Sequence, residues 1–185
     1  LGDVYKRQVY EWDGSSWSGT LVHSETDEGY SYYRQAEYII DPSGGQHLAY
    51  LNRAGALRYL TDSTSSDGTW TLEHSDSIGE TVNHKYGGMT MEVTDDGDVH
   101  ILFYDSSDND LLHSRRIDGN WFSTVIWDFD VDDSYYNGID MVLDDQGDPR
   151  IYAHVDNTQG DARMVYYGSF SDPSIDNSSV PSDSN

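Results

Sequence analysis

Three tryptophans follow an Asp-Gly turn at almost constant spacing: Asp13-Gly14-Ser15-Ser16-Trp17, Asp67-Gly68-Thr69-Trp70 and Asp118-Gly119-Asn120-Trp121, with the tryptophans 53 and 51 residues apart. A second marker keeps step with the first, because Gly44, Gly97 and Gly147 recur at 53 and 50 residues. Two independent markers in one register mean an internal repeat of about fifty residues, and a repeat restricts the fold more than any other feature of a sequence. The segments that align are Ala36 to Asn52 (AEYIIDPSGGQHLAYLN), Met89 to Asp105 (MTMEVTDDGDVHILFYD) and Ile139 to Asp156 (IDMVLDDQGDPRIYAHVD).

Within each segment apolar residues alternate: Ala36, Tyr38, Ile40; Met89, Met91, Val93; Ile139, Met141, Leu143. A period of two means strands. The turns that follow, Pro42 to Gly45, Asp95 to Asp98 and Asp145 to Asp148, supply glycine for positive φ and Asp for bonds to nearby amides, so each pair of runs predicts a hairpin. A third strand is expected at Ala56 to Thr61, Asp110 to Ile117 and Ala162 to Ser169, and a fourth begins at the tryptophan. Four short strands per fifty residues is the signature of propeller blades, in which each sheet is covered by two neighbours. That explains second strands such as His100 to Tyr104, apolar on both faces. The expected fold is therefore all-β, a partial β-propeller of four-stranded antiparallel blades. It holds the end of one blade (9–23), two whole blades (36–74 and 89–127) and an incomplete one (139–170). Residues 171–185 are Ser/Asp-rich and read as a disordered linker or tail. Leu1 to Gln8 look like a translated transposon end from a sequencing library and are set aside as a scar, which puts the natural start upstream.

The formal charge of −24 comes mostly from 27 aspartates, against two lysines. Such a surface repels phosphate backbones and anionic lipid, which argues against nucleic acid as a partner. No stretch approaches the ~20 apolar residues of a membrane helix, so no insertion is expected here. Cysteine is absent, which removes disulfides and thiolate metal sites.

The residues Gly97-Asp98-Val99-His100-Ile101 with Tyr104-Asp105, and Gly147-Asp148-Pro149-Arg150-Ile151, resemble the propeller repeats of secreted or surface proteins of marine microbes. Those repeats are typified by G-N-P-H-I-x-Y-Y-D and a later D-G-x-x-W. The resemblance spans roughly residues 9–170. Arg150 departs from the expected histidine, and Gln46 and Val99 from the proline. It implies the architecture and an extracellular or cell-surface location, with sialidases as distant relations, and it is not specific for an activity; the recognition or scaffold role expected here rests on the aromatic connections and the missing catalytic motifs.

In such a fold the blade connections surround one mouth of a central channel. Here they carry Tyr33, Tyr86 and Tyr136, again at 53 and 50 residues, with Arg34 and His84 nearby. Aromatic faces stack on sugars and peptide groups, which makes these five residues the candidate contacts for a glycan or protein ligand. Packing between blades explains the repetition more readily, since binding sites seldom need perfect repetition. His47 and His100 occupy equivalent places after the hairpin turn, where an imidazole can bond a turn carbonyl and fix the corner. Arg150 in the third copy argues against a shared metal. Closely spaced carboxylates suit calcium, and Asp105, Asp108 and Asp110 are the candidate ligands, although turn chemistry accounts for most such aspartates. No Ser/His/Asp elbow, phosphate loop or sialidase arginine triad is present, so catalysis is not expected. The alternative is a sialidase-like glycoside hydrolase or lyase whose machinery is incomplete in this chain. A carboxylate pair for it can be drawn from Glu37 and Asp140, at equivalent inner-strand positions with Thr90 between, at a separation that the sequence does not fix.

Overall fold

The computed structural model describes residues 4–26, 36–52, 56–63, 68–77, 88–105, 110–128, 135–157 and 160–167. All of its regular elements are β-strands, grouped in four antiparallel sheets. Sheet I pairs β1 (Val4–Trp12) with β2 (Trp17–Thr26). Sheet II runs in order β3 (Ala36–Ile40), β4 (Gln46–Leu51), β5 (Ala56–Thr61) and β6 (Thr71–Ser77). Sheet III repeats that order with β7 (Met89–Val93), β8 (Val99–Asp105), β9 (Asp110–Ile117) and β10 (Asn120–Asp128). Sheet IV has three strands, β11 (Tyr135–Leu143), β12 (Pro149–Asn157) and β13 (Gly160–Tyr167). β5 and β9 have the bounds expected from the sequence, whereas β13 begins two residues earlier. β1 reaches back to Val4, so the segment set aside as a scar contributes to sheet I.

The repeat is visible in the backbone. Among the described residues, the glycines of positive φ are Gly44, Gly97 and Gly147 in the first turn of each unit and Gly14, Gly68 and Gly119 in the turn before the tryptophan strand. Those are the two turns whose spacing announced the repeat, and both need a conformation that a Cβ disfavours.

The sheets stack face to face in sequence order. Val9, Val22, Leu48, Tyr50 and Leu60 join sheets I and II. Ala49, Leu51, Leu57 and Tyr59 of sheet II meet Met89, Met91, Ile101 and Phe103 of sheet III. Leu102, Tyr104 and Leu111 of sheet III meet Met141, Ile151 and Ala153 of sheet IV. In β8, Ile101 and Phe103 point one way while Leu102 and Tyr104 point the other, so one strand serves two cores and alternation of polarity disappears. Burying each such large apolar side chain is worth about 1.5–3 kcal/mol.

The inner strands lie side by side, β3 against β7 and β7 against β11. Gly88 is needed at the second of these contacts, because a Cβ there would overlap the Ile139 side chain. Its equivalent in sheet IV, Gly138, has nothing within 4 Å of such a Cβ.

The tryptophans that follow the Asp-Gly turns in sheets II and III pack on the sheet before their own. Trp121 of sheet III stacks on His74 of sheet II at 4.1 Å and meets Tyr59 edge-on at 5.1 Å. Trp70 packs on the core between sheets I and II. Trp17, in the first sheet, is 66 % exposed.

Candidate functional site

The turn between the first two strands of each unit is built to one plan. Asp41 N–H donates to the Gly45 carbonyl at 2.8 Å and Gly44 N–H to the Asp41 carbonyl at 2.9 Å. The same two bonds join Thr94 with Asp98 and Gly97, and Asp144 with Asp148 and Gly147. The opening side chain then accepts amides inside the loop. Asp41 Oδ1 takes Ser43 and Gly45 N–H at 2.8 Å each, Thr94 Oγ1 takes Asp98 N–H at 3.0 Å, and Asp144 Oδ1 takes Gln146 and Asp148 N–H at 2.9 and 3.0 Å. This is the short-range Asx and Thr chemistry that places these residues in turns.

The residue after the turn differs in its partner. His47 Nε2 lies 3.0 Å from Asp41 Oδ2 and its Nδ1 lies 2.6 Å from the Tyr59 hydroxyl. Arg150 pairs with Asp144 Oδ2 in the same way. The corner histidine thus answers the carboxylate that opens the turn rather than a turn carbonyl. Burial works against ionisation of Asp41, but the bonds from His47, Ser43 and Gly45 prevail and hold its carboxyl well below the usual range.

Thr94 offers no carboxylate, and His100 turns to the sheet interior, with Nδ1 3.1 Å from His113 Nε2. One of the two nitrogens must donate and the other accept, so the pair is satisfied when both rings are neutral. Burial, reinforced by Arg115 and partly opposed by Asp148, pushes His100 down to about 4. Burial and its charged neighbours hold His113 well below its ordinary value too. Arg115 is itself buried, which lowers its pKa.

Register places His100 and Arg115 in one row across sheet III, with Glu92 opposite His100, His100 opposite Arg115, and Arg115 opposite Phe122. Glu92, His100 and Arg115 of this row line a cavity of about 870 Å3 between the turns of sheets III and IV. Its rim carries Asp95, Asp96, Asp145 and Asp148, and Val93, Ile117 and Leu143 give it apolar wall. A concave site with a few convergent polar groups on an apolar wall is the usual form of a ligand pocket. The chemistry it offers is hydrogen bonding and charge recognition.

A second meeting of charges lies along the inner strands. Burial raises the Glu37 carboxyl and the Asp140 carboxylate adds to the shift. Burial and Asp140 raise Glu92 likewise. Positions 37 and 140, two units apart in sequence, are therefore within electrostatic reach of each other across β7.

Of the residues singled out from the sequence, Tyr33, Arg34, His84, Tyr86 and Asp108 lie outside the described residues. Tyr136 sits near the start of β11, paired in register with Val155. Asp105 and Asp110 face each other where β8 meets β9. All three occupy the end of their sheets opposite the cavity, since β7 and β11 end at the turns that form it. Among the described residues, no group of three His, Asp or Glu side chains is arranged to hold a metal ion. Sequence reasoning passed over Glu92 and Arg115 as site residues. Their signal was charge within strands that otherwise read as core, and only register could show that they share a row. Comparison with protein-family models and with curated proteins returns no match.

Proposed function

We propose that this chain is part of a β-propeller of four-stranded blades that works as a non-catalytic recognition or scaffold domain outside the cell or on its surface, binding a glycan or a protein. The observation that carries this reading is the serial stacking of sheets II, III and IV with β3, β7 and β11 adjacent, which leaves a mixed polar and apolar cavity between neighbouring turns. Glu92 and Arg115 line the cavity and present an acceptor and a donor to a hydroxyl-rich or peptide ligand. The strongly acidic surface favours neutral or basic ligands over anionic ones. Glycan-array and pull-down binding tests it. Arg115→Met and Glu92→Gln should each weaken binding about 10-fold or more if the cavity is the site. The triple replacement of Tyr33, Tyr86 and Tyr136 by Ala examines the aromatic connections expected from the sequence. Binding untouched by both sets rejects the reading.

The coupling of Glu37 with Asp140 favours a second reading, a glycoside hydrolase or lyase in which Glu37, whose carboxyl burial and Asp140 raise, serves as the acid. Hydrolysis of aryl glycosides that Glu37→Gln abolishes would support it. Absence of turnover over a broad substrate panel would remove it.

A further inference from the structure

The corner of sheet III differs from the other two by one oxygen. In sheet II, Asp41 Oδ1 accepts the Gly45 amide while Asp41 Oδ2 meets His47 Nε2; in sheet IV, Asp144 Oδ1 accepts the Asp148 amide while Asp144 Oδ2 meets Arg150. Thr94 Oγ1 takes the equivalent Asp98 amide at 3.0 Å, and a threonine side chain has no second oxygen to offer. His100 gives its Nδ1 to the contact with His113, and its Nε2 has no hydrogen-bond partner among the described residues. That nitrogen is not sealed in the core. The residue is only 3 % exposed, yet it lines the cavity together with Thr94, Glu92 and Arg115. A polar atom so far withdrawn from bulk water, with no protein partner, marks a place for a ligand atom.

We propose that His100 is a recognition residue of the cavity and that its Nε2 holds a hydroxyl of an uncharged glycan, in the position that Asp41 Oδ2 and Asp144 Oδ2 take in the neighbouring sheets. The inference rests on the cavity being the binding site. Charge selects the hydroxyl. At pH 7 the ring is neutral, because burial and Arg115 prevail over Asp148 and hold its pKa at about 4. A neutral ring presents at Nε2 either a proton or a lone pair, according to which way the bond to His113 runs, and a hydroxyl answers both. A ligand carboxylate answers only the first, and it enters a lining in which carboxylates outnumber the guanidinium. A ligand ammonium answers only the second, and it meets Arg115 directly across from His100. The row also favours a glycan over a peptide side chain. Glu92, His100 and Arg115 come from three neighbouring strands spaced about 4.8 Å apart. Several hydroxyls of one sugar chain can engage such a row while C–H faces rest on Val93, Ile117 and Leu143, whereas a serine or threonine side chain brings one hydroxyl.

Calorimetric titration of the whole chain at pH 7 uses hexasaccharides of glucose, mannose and xylose as neutral probes. Oligogalacturonate, deacetylated chitooligosaccharide and a serine-rich peptide are the charged and peptide probes. The expected result is saturable binding of at least one neutral probe, about 10-fold or more tighter than any charged or peptide probe. Thr94→Asp supplies the second oxygen from the chain itself and so competes with the ligand. Binding falls about 10-fold or more while the thermal midpoint stays at or above that of the wild type, a combination that a merely structural effect does not give. His100→Asn keeps an amide where Nδ1 meets His113 but places nothing where Nε2 stands, and it weakens binding to the same degree; His100→Gln, whose amide reaches that place, retains more. On the unmutated chain, the nitrogen resonance of His100 Nε2 shifts as the sugar saturates it. Binding lost in Arg115→Met but full in Thr94→Asp and His100→Asn overturns the inference and leaves the cavity as the site. An Nε2 resonance that the sugar does not move, or a preference for a charged or peptide probe, overturns it likewise. Full binding in all three variants, or no glycan bound at all, overturns both the inference and the cavity as a glycan site.

Discussion

In sheet II the turn opens with a carboxylate, and the histidine that follows the turn answers it; in sheet III threonine holds the first place, and the histidine looks inward to a second histidine. Backbone geometry is the same in both, down to the two turn hydrogen bonds. The contrast teaches that the fold asks of this corner only a polar side chain short enough to accept loop amides. What the next residue bonds to is left free, and that freedom sets the charge chemistry. Sheet IV shows the rule a third time, since a carboxylate at Asp144 goes with a cation at Arg150. Where the carboxylate is present the corner is an ion pair or its neutral equivalent. Where it is missing, His100 turns to a second buried imidazole, and His100 itself lines the cavity.

The largest consequence is a difference in acid sensitivity. Unfolded, His100 takes up its proton near the ordinary 6.5; folded, it resists until about 4. The unfolded chain therefore binds more protons across that interval, so stability contributed at neutral pH drains away as pH falls from about 6.5 towards 4. The loss amounts to about 3 kcal/mol for a shift of this size. Glu37 and Glu92, whose folded pKa values are raised, work in the opposite direction, so the comparison needs a variant. Urea unfolding at pH 7 and pH 4.5 should show a fall that His100→Gln flattens. The sheet II carboxylate acts in a separate window. Asp41 is depressed, so its contribution is complete above the ordinary 3.8 and is lost only as pH drops below it. An acid profile unchanged by His100→Gln would mean that the two corners do not differ as described.

Converting the sheet II corner to the sheet III pattern is the next test. Asp41→Thr keeps an acceptor for the loop amides but leaves His47 without its carboxylate, and a charge-assisted bond of this kind is worth about 2 kcal/mol. A urea midpoint lowered accordingly is expected at pH 7. An unchanged midpoint would show that the Tyr59 hydroxyl alone suffices for His47.

The shared backbone of the corners should show itself as a shared cost. Gly44, Gly97 and Gly147 have φ of 93°, 86° and 79°, and a Cβ at either of the first two would meet nothing within 4 Å, at the third only Thr94 Cγ2 at 3.8 Å. Replacement by alanine is therefore charged with conformation and not with collision, at about 1 kcal/mol each. Thermal denaturation of the three variants should give matching decrements. A turn whose glycine could be replaced freely would not be equivalent to the others.

Much of this architecture was legible in the residues. Fixed spacing of the glycines and tryptophans marked turns whose backbone needs positive φ, and alternation marked β3 and β7 to the residue, because both signals are local. The site was less legible. Glu92, His100 and Arg115 come from three strands and meet through register, which no local pattern encodes. The aromatic connections drew attention by composition, and their described member, Tyr136, lies at the end of its sheet away from the cavity. The partner of His47 was misjudged for a related reason: a turn carbonyl is always at hand, whereas the choice of Asp41 depends on which way its second oxygen points.

The smallest expected effect is the most discriminating. Thr94→Asp gives sheet III the opening residue of sheets II and IV, and the new carboxylate has two claims on it, the amides of the loop and the imidazole of His100. By the geometry of Asp41, one oxygen takes the amides and the other reaches Nε2 of the histidine. The net gain in stability at pH 7 is under about 1 kcal/mol, because Asp95, Asp96 and Asp98 crowd the same turn with like charge. The imidazole responds more than the stability does. A carboxylate beside His100 favours its charged form, so its titration, followed by NMR, should move up from about 4 towards the ordinary range. The acid loss assigned to sheet III should shrink with it. If the histidine does not move, burial and Arg115 outweigh any carboxylate at this corner, and the difference between sheets II and III belongs to the surrounding core and not to the residue that opens the turn.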